Sequence, residues 1–399
     1  MATTAPPPTV PIPVKGLAGR TWYTVPDGLV TEVPAFTVTF EVDAAATRPR
    51  VRVVPGAREM PLVRSPGTSE WVARFEGLPV GVYTANVVEQ TASGDVTVAP
   101  TWGFRVSQPE YVVWTLDFEG DAASDETMAN TAAIADALKV PMVVMWNPRA
   151  WTTSQVSAER ADAMLAWTKG RAAKSDEVAL HIHMWTDYVQ AAGVAPKLLP
   201  RWAGRNDGYD VPITAYSEAE QSTLIAFGLK LMADHGLAGI TSFRAGGDFG
   251  DAATLRALVA NGITGDCTAV PAGTFGSLRW PWTLANDAQP YRPSRDDANK
   301  TGDLPLLEAP TNAGNTYGYT AASIAPIARA DLAMLAKPGE VATARKGLTI
   351  VSHPGTIDGT ERAAIETLLH VFDALRYDQD KGPLRFVSLK QLVRSWPQS

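Results

Sequence analysis

The chain has 399 residues, 45% hydrophobic and 19% charged, the balance of a globular protein and not of a disordered or fibrous one. A net charge of -7 argues against nucleic acid, whose phosphates demand a basic surface. Cys267 is the single cysteine, which excludes both an intrachain disulfide framework and a thiolate metal cluster.

At this length two domains are expected. Residues 1–13 read as an extended, Pro-rich tail. Their opening, MATTAPPPT, lacks the charged and apolar regions of a secretory leader. The expected location is secreted or periplasmic, with a leader already removed; the cytoplasm is the alternative. No apolar stretch approaches the roughly 20 residues of a membrane helix, so no membrane insertion is expected. Oligomeric state leaves no trace in the sequence.

Across 14–108 the hydrophobic pattern has period two. Strands are predicted over 36–42, 50–54, 71–75, 82–88 and 96–106, with turns at Pro55-Gly56, Pro66-Gly67 and Ser93-Gly94. Short alternating strands without a helix predict an all-β immunoglobulin-like sandwich. Ser107-Gln108-Pro109-Glu110 reads as the joint.

From 109 to 399 the period changes. Apolar runs at 111–116, 141–145, 178–183, 239–243, 348–352 and 385–387 alternate with helical stretches at 125–138, 158–169, 218–234, 252–260, 328–335 and 360–376. That alternation predicts α/β architecture, with βα units around a parallel sheet or barrel. Ser217 and Glu220 form a capping box at one helix start. Residues 271–320, rich in Gly, Pro, Asn and aromatics, read as long loops over one barrel face, where function often resides.

In βα barrels the working groups stand at the C-terminal ends of strands. Four such ends carry polar groups that an apolar strand does not require: Asp117-Phe118-Glu119-Gly120-Asp121, His181-Ile182-His183, Arg244 after Phe243, and His353 after Ser352. Only five histidines exist, and His235 and His370 fall in helical stretches. Residues i and i+2 of a strand share a face, so His181 and His183 can aim at one point, as can Asp117 and Glu119. Two His and one carboxylate, with positions open to water, form a common catalytic zinc set that other divalent metals also accept. Taken singly, each feature has a plainer use. Strand-end histidines bond to solvent, carboxylates cap the next helix, and a lone Arg forms a salt bridge. Their order after successive strands points to a catalytic metal site.

In that order the segments resemble the polysaccharide deacetylase (NodB-homology, carbohydrate esterase family 4) superfamily over roughly residues 111–396. The motifs are Thr115-Leu116-Asp117-Phe118-Glu119, Glu177-Val178-Ala179-Leu180-His181, Phe243-Arg244-Ala245-Gly246-Gly247 and Leu348-Thr349-Ile350-Val351-Ser352-His353-Pro354. Glu308-Ala309-Pro310 and Phe386-Val387-Ser388-Leu389 are also similar. The resemblance implies a distorted (β/α) barrel and one divalent metal, zinc first. It makes Asp117 the general base, Arg244 its holder, and His353 the general acid. Glu119 and His181 become ligands, with His183 as substitute for the usual second histidine, whose place Trp185 takes. Phe118 separates the first motif's carboxylates, so Asp121 competes with Glu119. Asp266 and Trp280 lie where a further motif is expected.

The implied reaction is removal of an N- or O-linked acetyl group from a carbohydrate. Trp146, Trp185 and Trp280, along with Trp151 and Trp282, are candidates to stack on sugar faces; filling the loop core is their other use. A metal-independent glycoside hydrolase would leave the histidines without a role. A non-catalytic glycan-binding protein with a degenerate barrel is the alternative from another class. The sandwich carries no motif that names its role.

Overall fold

The computed structural model describes residues 6–397. Two compact units emerge. The first runs to Glu110 and takes in Ala336–Arg345 and Asp373–Arg385; the second holds Tyr111–Leu335, Lys346–Phe372 and the residues from Phe386 on. The sequence suggested one cut near residue 108; the two later segments carry no periodicity that sets them apart. Polar contacts tie the second of them into the first unit. The Asp380 carboxylate accepts hydrogen bonds from the N–H groups of Thr21 (2.8 Å) and Trp22 (2.9 Å).

The first unit is all-β. One sheet places Val14–Ala18, Ala35–Phe40, Glu70–Arg74 and Val63–Arg64 side by side; the other orders Trp22–Thr24, Gly94–Ser107, Gly81–Thr91, Arg50–Val54 and Arg58–Pro61. Period-two patterning sends Phe36, Val38 and Phe40 inward, where they join Val51, Val53, Val87 and Phe104 in one apolar core. Phe36 and Phe104 meet edge to face at 4.9 Å. The opening segment is partly tied down. Ala92 N–H donates to Pro8 O, and Ile12 N–H donates to the Glu89 carboxylate. The first five residues of the expected tail lie outside the described residues.

The second unit carries the parallel sheet. Its strands, in chain order, are β1 (Glu110–Asp117), β2 (Met142–Trp146), β3 (Glu177–Ile182), β4 (Ser242–Ala245), β5 (Gly265–Asp266), β6 (Leu307–Glu308) and β7 (Lys346–Ser352). They lie side by side as β6-β5-β4-β3-β2-β1-β7, and every pairing from β1 out to β6 is parallel. The sheet curls into an incomplete barrel. Beyond β6 a loop runs along β7: Ala313 N–H donates to Thr349 O, Val351 N–H to Gly314 O, and Thr316 N–H to Val351 O. Both faces are covered, so β1 is buried throughout, with Val112, Val113, Trp114 and Leu116 at 0% exposure.

The helices start where small polar side chains cap them. Ser124 caps Asp125–Leu138, Asp251 caps Ala252–Ala260, and Ser217 with Glu220 forms the expected capping box of Glu218–Asp234. Strands β1 to β6 run the same way, and the ends of β1, β3, β4 and β7 bring Asp117, His181, Arg244 and Ser352-His353 to one rim.

Candidate active site

His181 and His183 occupy one face at the end of β3 and point at Glu119, two residues past the end of β1. Glu119 Oε2 lies 2.6 Å from His183 Nε2 and 3.9 Å from His181 Nε2. Each ring's other nitrogen is fixed by a backbone carbonyl: His181 Nδ1 at 3.0 Å from Arg244 O, His183 Nδ1 at 2.9 Å from Tyr209 O. A carbonyl can only accept, so Nδ1 carries a proton in both rings and Nε2 is the atom turned to Glu119. His181 Nε2 is buried and makes no hydrogen bond. With Nε2 unprotonated, two imidazole lone pairs and a carboxylate converge on one point, the donor set a cation takes. Glu119, His181 and His183 offer ligand atoms within 4.8 Å of one another, and the chemistry fits a divalent metal. Asp121 belongs to no such donor group.

Charge couples the same three groups. Burial works against a charge on Glu119, yet the pull of His183 and His181 holds its carboxyl well below the usual range. Burial also disfavours a charged His181, but Asp117 and Glu119 together raise it. Gly246 backs the pair: a Cβ there would stand 2.4 Å from His183 Nδ1, closer than side chains approach one another.

Asp117 faces the same space. Arg244, at 0% exposure, places Nη1 3.3 Å from each of its carboxylate oxygens. The rest of the guanidinium is spoken for by Thr115 Oγ1 (2.8 Å), Thr311 Oγ1 (2.7 Å) and Cys267 O (3.0 Å). Burial works against its charge; the Asp117 carboxylate more than offsets that and leaves its pKa raised. Asp117 is thereby held in one orientation.

His353, directly after β7, brings Nε2 to 3.3 Å from Glu119 Oε1. Its carbonyl accepts from Thr356 Oγ1 (3.0 Å), and that hydroxyl also bonds Glu361 (2.9 Å), which braces the turn. Beneath it, Trp114 Nε1–H and Thr316 Oγ1–H both donate to Ser352 Oγ. A cavity of about 440 Å³ opens between these groups, lined by Asp117, Glu119, Asp121, Tyr209, Tyr317 and His353.

Of the two uses the sequence left open for the tryptophans, most take the second and fill the interior. Trp146 is at 0% exposure, packed against Phe118 and Trp151, and offers no face to a ligand. Trp185 is buried as well. Its Nε1–H donates to Glu119 O at 2.9 Å and the Arg149 guanidinium lies 3.6 Å over its ring, so it positions the ligand strand. Trp282 is likewise at 0% exposure. Trp280 alone of these reaches an open space, a chamber beside the cavity. Sequence reasoning missed Tyr209, whose ring stacks on His183 at 4.1 Å and whose hydroxyl is pushed up by burial and by Glu119. It also missed Thr115 and Thr311. Thr311 follows the flagged Glu308-Ala309-Pro310 by one residue, the only signal that could have found it.

No protein-family model matches the chain, and no curated protein does. Among solved structures it is similar to a Mycobacterium smegmatis protein provisionally described as a polysaccharide deacetylase, at 14% identity and TM-score 0.45, with 73% of this chain and 94% of that one covered. It is also similar to a family 4 carbohydrate esterase from Streptomyces lividans in complex with acetate: 11% identity, TM-score 0.38, 73% and 100% covered. A peptidoglycan deacetylase from Bacillus subtilis shows 12% identity and TM-score 0.34, with 71% and 90% covered. The case for function rests on the side chains themselves.

Proposed function

We propose that this chain is a metal-dependent hydrolase that removes acyl groups, acetyl in the first instance, from nitrogen or oxygen of a carbohydrate. One observation carries the reading. The Nε2 lone pairs of two histidines and the Glu119 carboxylate converge beside an aspartate that a buried arginine holds still. Glu119, His181 and His183 would hold a divalent cation, zinc first. Such an ion polarises a carbonyl and lowers the pKa of water from about 15.7 toward 7.

Asp117, whose carboxylate lines the cavity, is placed to take a proton from attacking water. Arg244 cannot lose its own proton and so fixes the aspartate as the base. His353, in the same cavity, is placed to give a proton from Nε2 to the leaving nitrogen or oxygen, a poor leaving group until protonated. Tyr209 shields one face of the His183 ring from water. We read the all-β unit as an immunoglobulin-like module and the substrate as an acetylated glycan outside the cytoplasm. Among the described residues no helix is long and apolar enough to cross a membrane.

The test is bound metal measured together with acetate release on chitin, xylan and peptidoglycan fragments. A chelator is expected to abolish release and zinc to restore it, and His181→Ala to lose metal. Chelator-insensitive turnover, as a glycoside hydrolase would show, or a metal-replete His181→Ala protein, refutes the reading.

A further inference from the structure

Beside the cavity that contains Asp117 and His353 lies a second chamber, larger at about 620 Å³. The two share Phe275 and Asn315 in their walls, so they adjoin. Most of the chamber's wall is apolar, with Val270, Phe275, Trp280, Met334 and Val351 facing it. Trp280 is held rigidly there. Its Nε1–H donates to Gly247 O at 2.8 Å, and its ring stacks on Phe275 with centroids 5.8 Å apart. Phe275 sits in a short hairpin (Thr274–Phe275 with Leu278–Arg279) and is 41% exposed, an apolar ring without a protein partner on its open side.

The chamber's position relative to the chemistry gives it a role. Among its polar lining residues, Thr311 and Asp248 flank Arg244: Thr311 Oγ1 accepts from Nη2 at 2.7 Å, and Asp248 Oδ1 stands 4.0 Å from Nε. The chamber's wall thus reaches the arginine that holds Asp117. Asp117 and His353 both line the other cavity, together with the exposed Tyr317. Of the groups on the reacting carbon, an alkyl substituent is the one that matches the chamber's apolar wall. An acetyl group offers a single methyl to a space of the size that buries whole ligands, about 300–1,000 Å³. It would leave the apolar walls wet, whereas a longer chain removes them from water.

Resting on the hydrolase reading, we infer that this site removes a medium-length alkanoyl group, lodged in the chamber, in preference to acetyl. Water adds to the acyl carbon, forming a C–O bond and passing one proton to Asp117. The bond from that carbon to the leaving nitrogen or oxygen breaks, and the leaving atom takes a proton from His353. The products are an alkanoic acid and the free amine or alcohol.

The experiment uses the full zinc-loaded chain and glucosamine N-acylated with acetyl, butanoyl, hexanoyl or octanoyl groups, following release of the amine. The expected kcat/KM rises about 4-fold per added methylene until the chamber is full. Met334→Trp in the wall and Ala272→Trp at the exposed rim both narrow the space and should cut the hexanoyl-to-acetyl ratio to about one. The rim variant serves should the wall variant fail to fold. A wild-type preference for acetyl, or a ratio indifferent to both tryptophans, overturns this inference and leaves the hydrolase reading standing. No turnover of any member by the zinc-loaded chain removes both.

Discussion

Replacing Gly246 by alanine is expected to push the His183 ring off the point it shares with Glu119. The glycine does not need a left-handed backbone, so the effect is steric and falls on the ring. Changes to groups that orient a ligand typically weaken metal binding about 10–100-fold. Competition with a chromophoric chelator reads it directly, and unaltered affinity would take His183 out of the ligand set. Asp117→Asn keeps the shape facing Arg244 but loses the base. Turnover should drop about 10²–10⁴-fold with bound metal intact, and a variant with unchanged turnover denies Asp117 its role. Away from the site, Asp331 is 1% exposed, and its Oδ2 has no hydrogen-bond partner. Burial pushes its carboxyl up to about 8 from an ordinary 3.8. The folded state thus binds this proton more tightly than the unfolded one. The stability it contributes is full below pH 3.8 and is lost as pH rises through about 8. Asp331→Asn should therefore raise Tm more at pH 9 than at pH 5; an equal gain at both would contradict the assignment.

Among the elements, legibility followed length and capping. Asp125–Leu138, Glu218–Asp234 and Ala252–Ala260 have the bounds their periodicity and caps predict. The capping box makes its own prediction: Ser217→Ala should cost about 1 kcal/mol in denaturant unfolding, and no loss would mean that the hydroxyl caps nothing. The strands β5 and β6, Gly265–Asp266 and Leu307–Glu308, are two residues each and too short to show a period. They still carry a feature of the interior. Asp266 and Glu308 are both at 0% exposure, and burial together with their mutual charge pushes Glu308 well up. At the site, the histidine pair was legible because strand geometry alone puts i and i+2 on one face. Tyr209 was not, because it lies in an irregular segment brought in by tertiary contacts. The indoles stayed ambiguous for a related reason: a tryptophan at a strand end does not reveal whether its ring turns to the cavity or into the core.

At the scale of the molecule, the all-β unit is assembled from three separate stretches of chain. Asp27 forms a 2.7 Å ion pair with Arg385, in which both side chains are at least nine-tenths buried, and Asp380 caps the N–H groups of Thr21 and Trp22. Cutting the chain at residue 109 strands those late partners, since a buried charge that loses its mate is strongly destabilised. A fragment of residues 109–399 is expected to be less soluble and to melt below the intact protein. Equal Tm values for fragment and whole would contradict that.

The same discontinuity sets an order of events during synthesis. A ribosome moving at about 5–20 residues per second delivers Arg385 on the order of tens of seconds after Glu110, so the nascent all-β unit waits for its late segments while the second unit is being made. Its first strands leave the tunnel earliest yet reach their final form among the last.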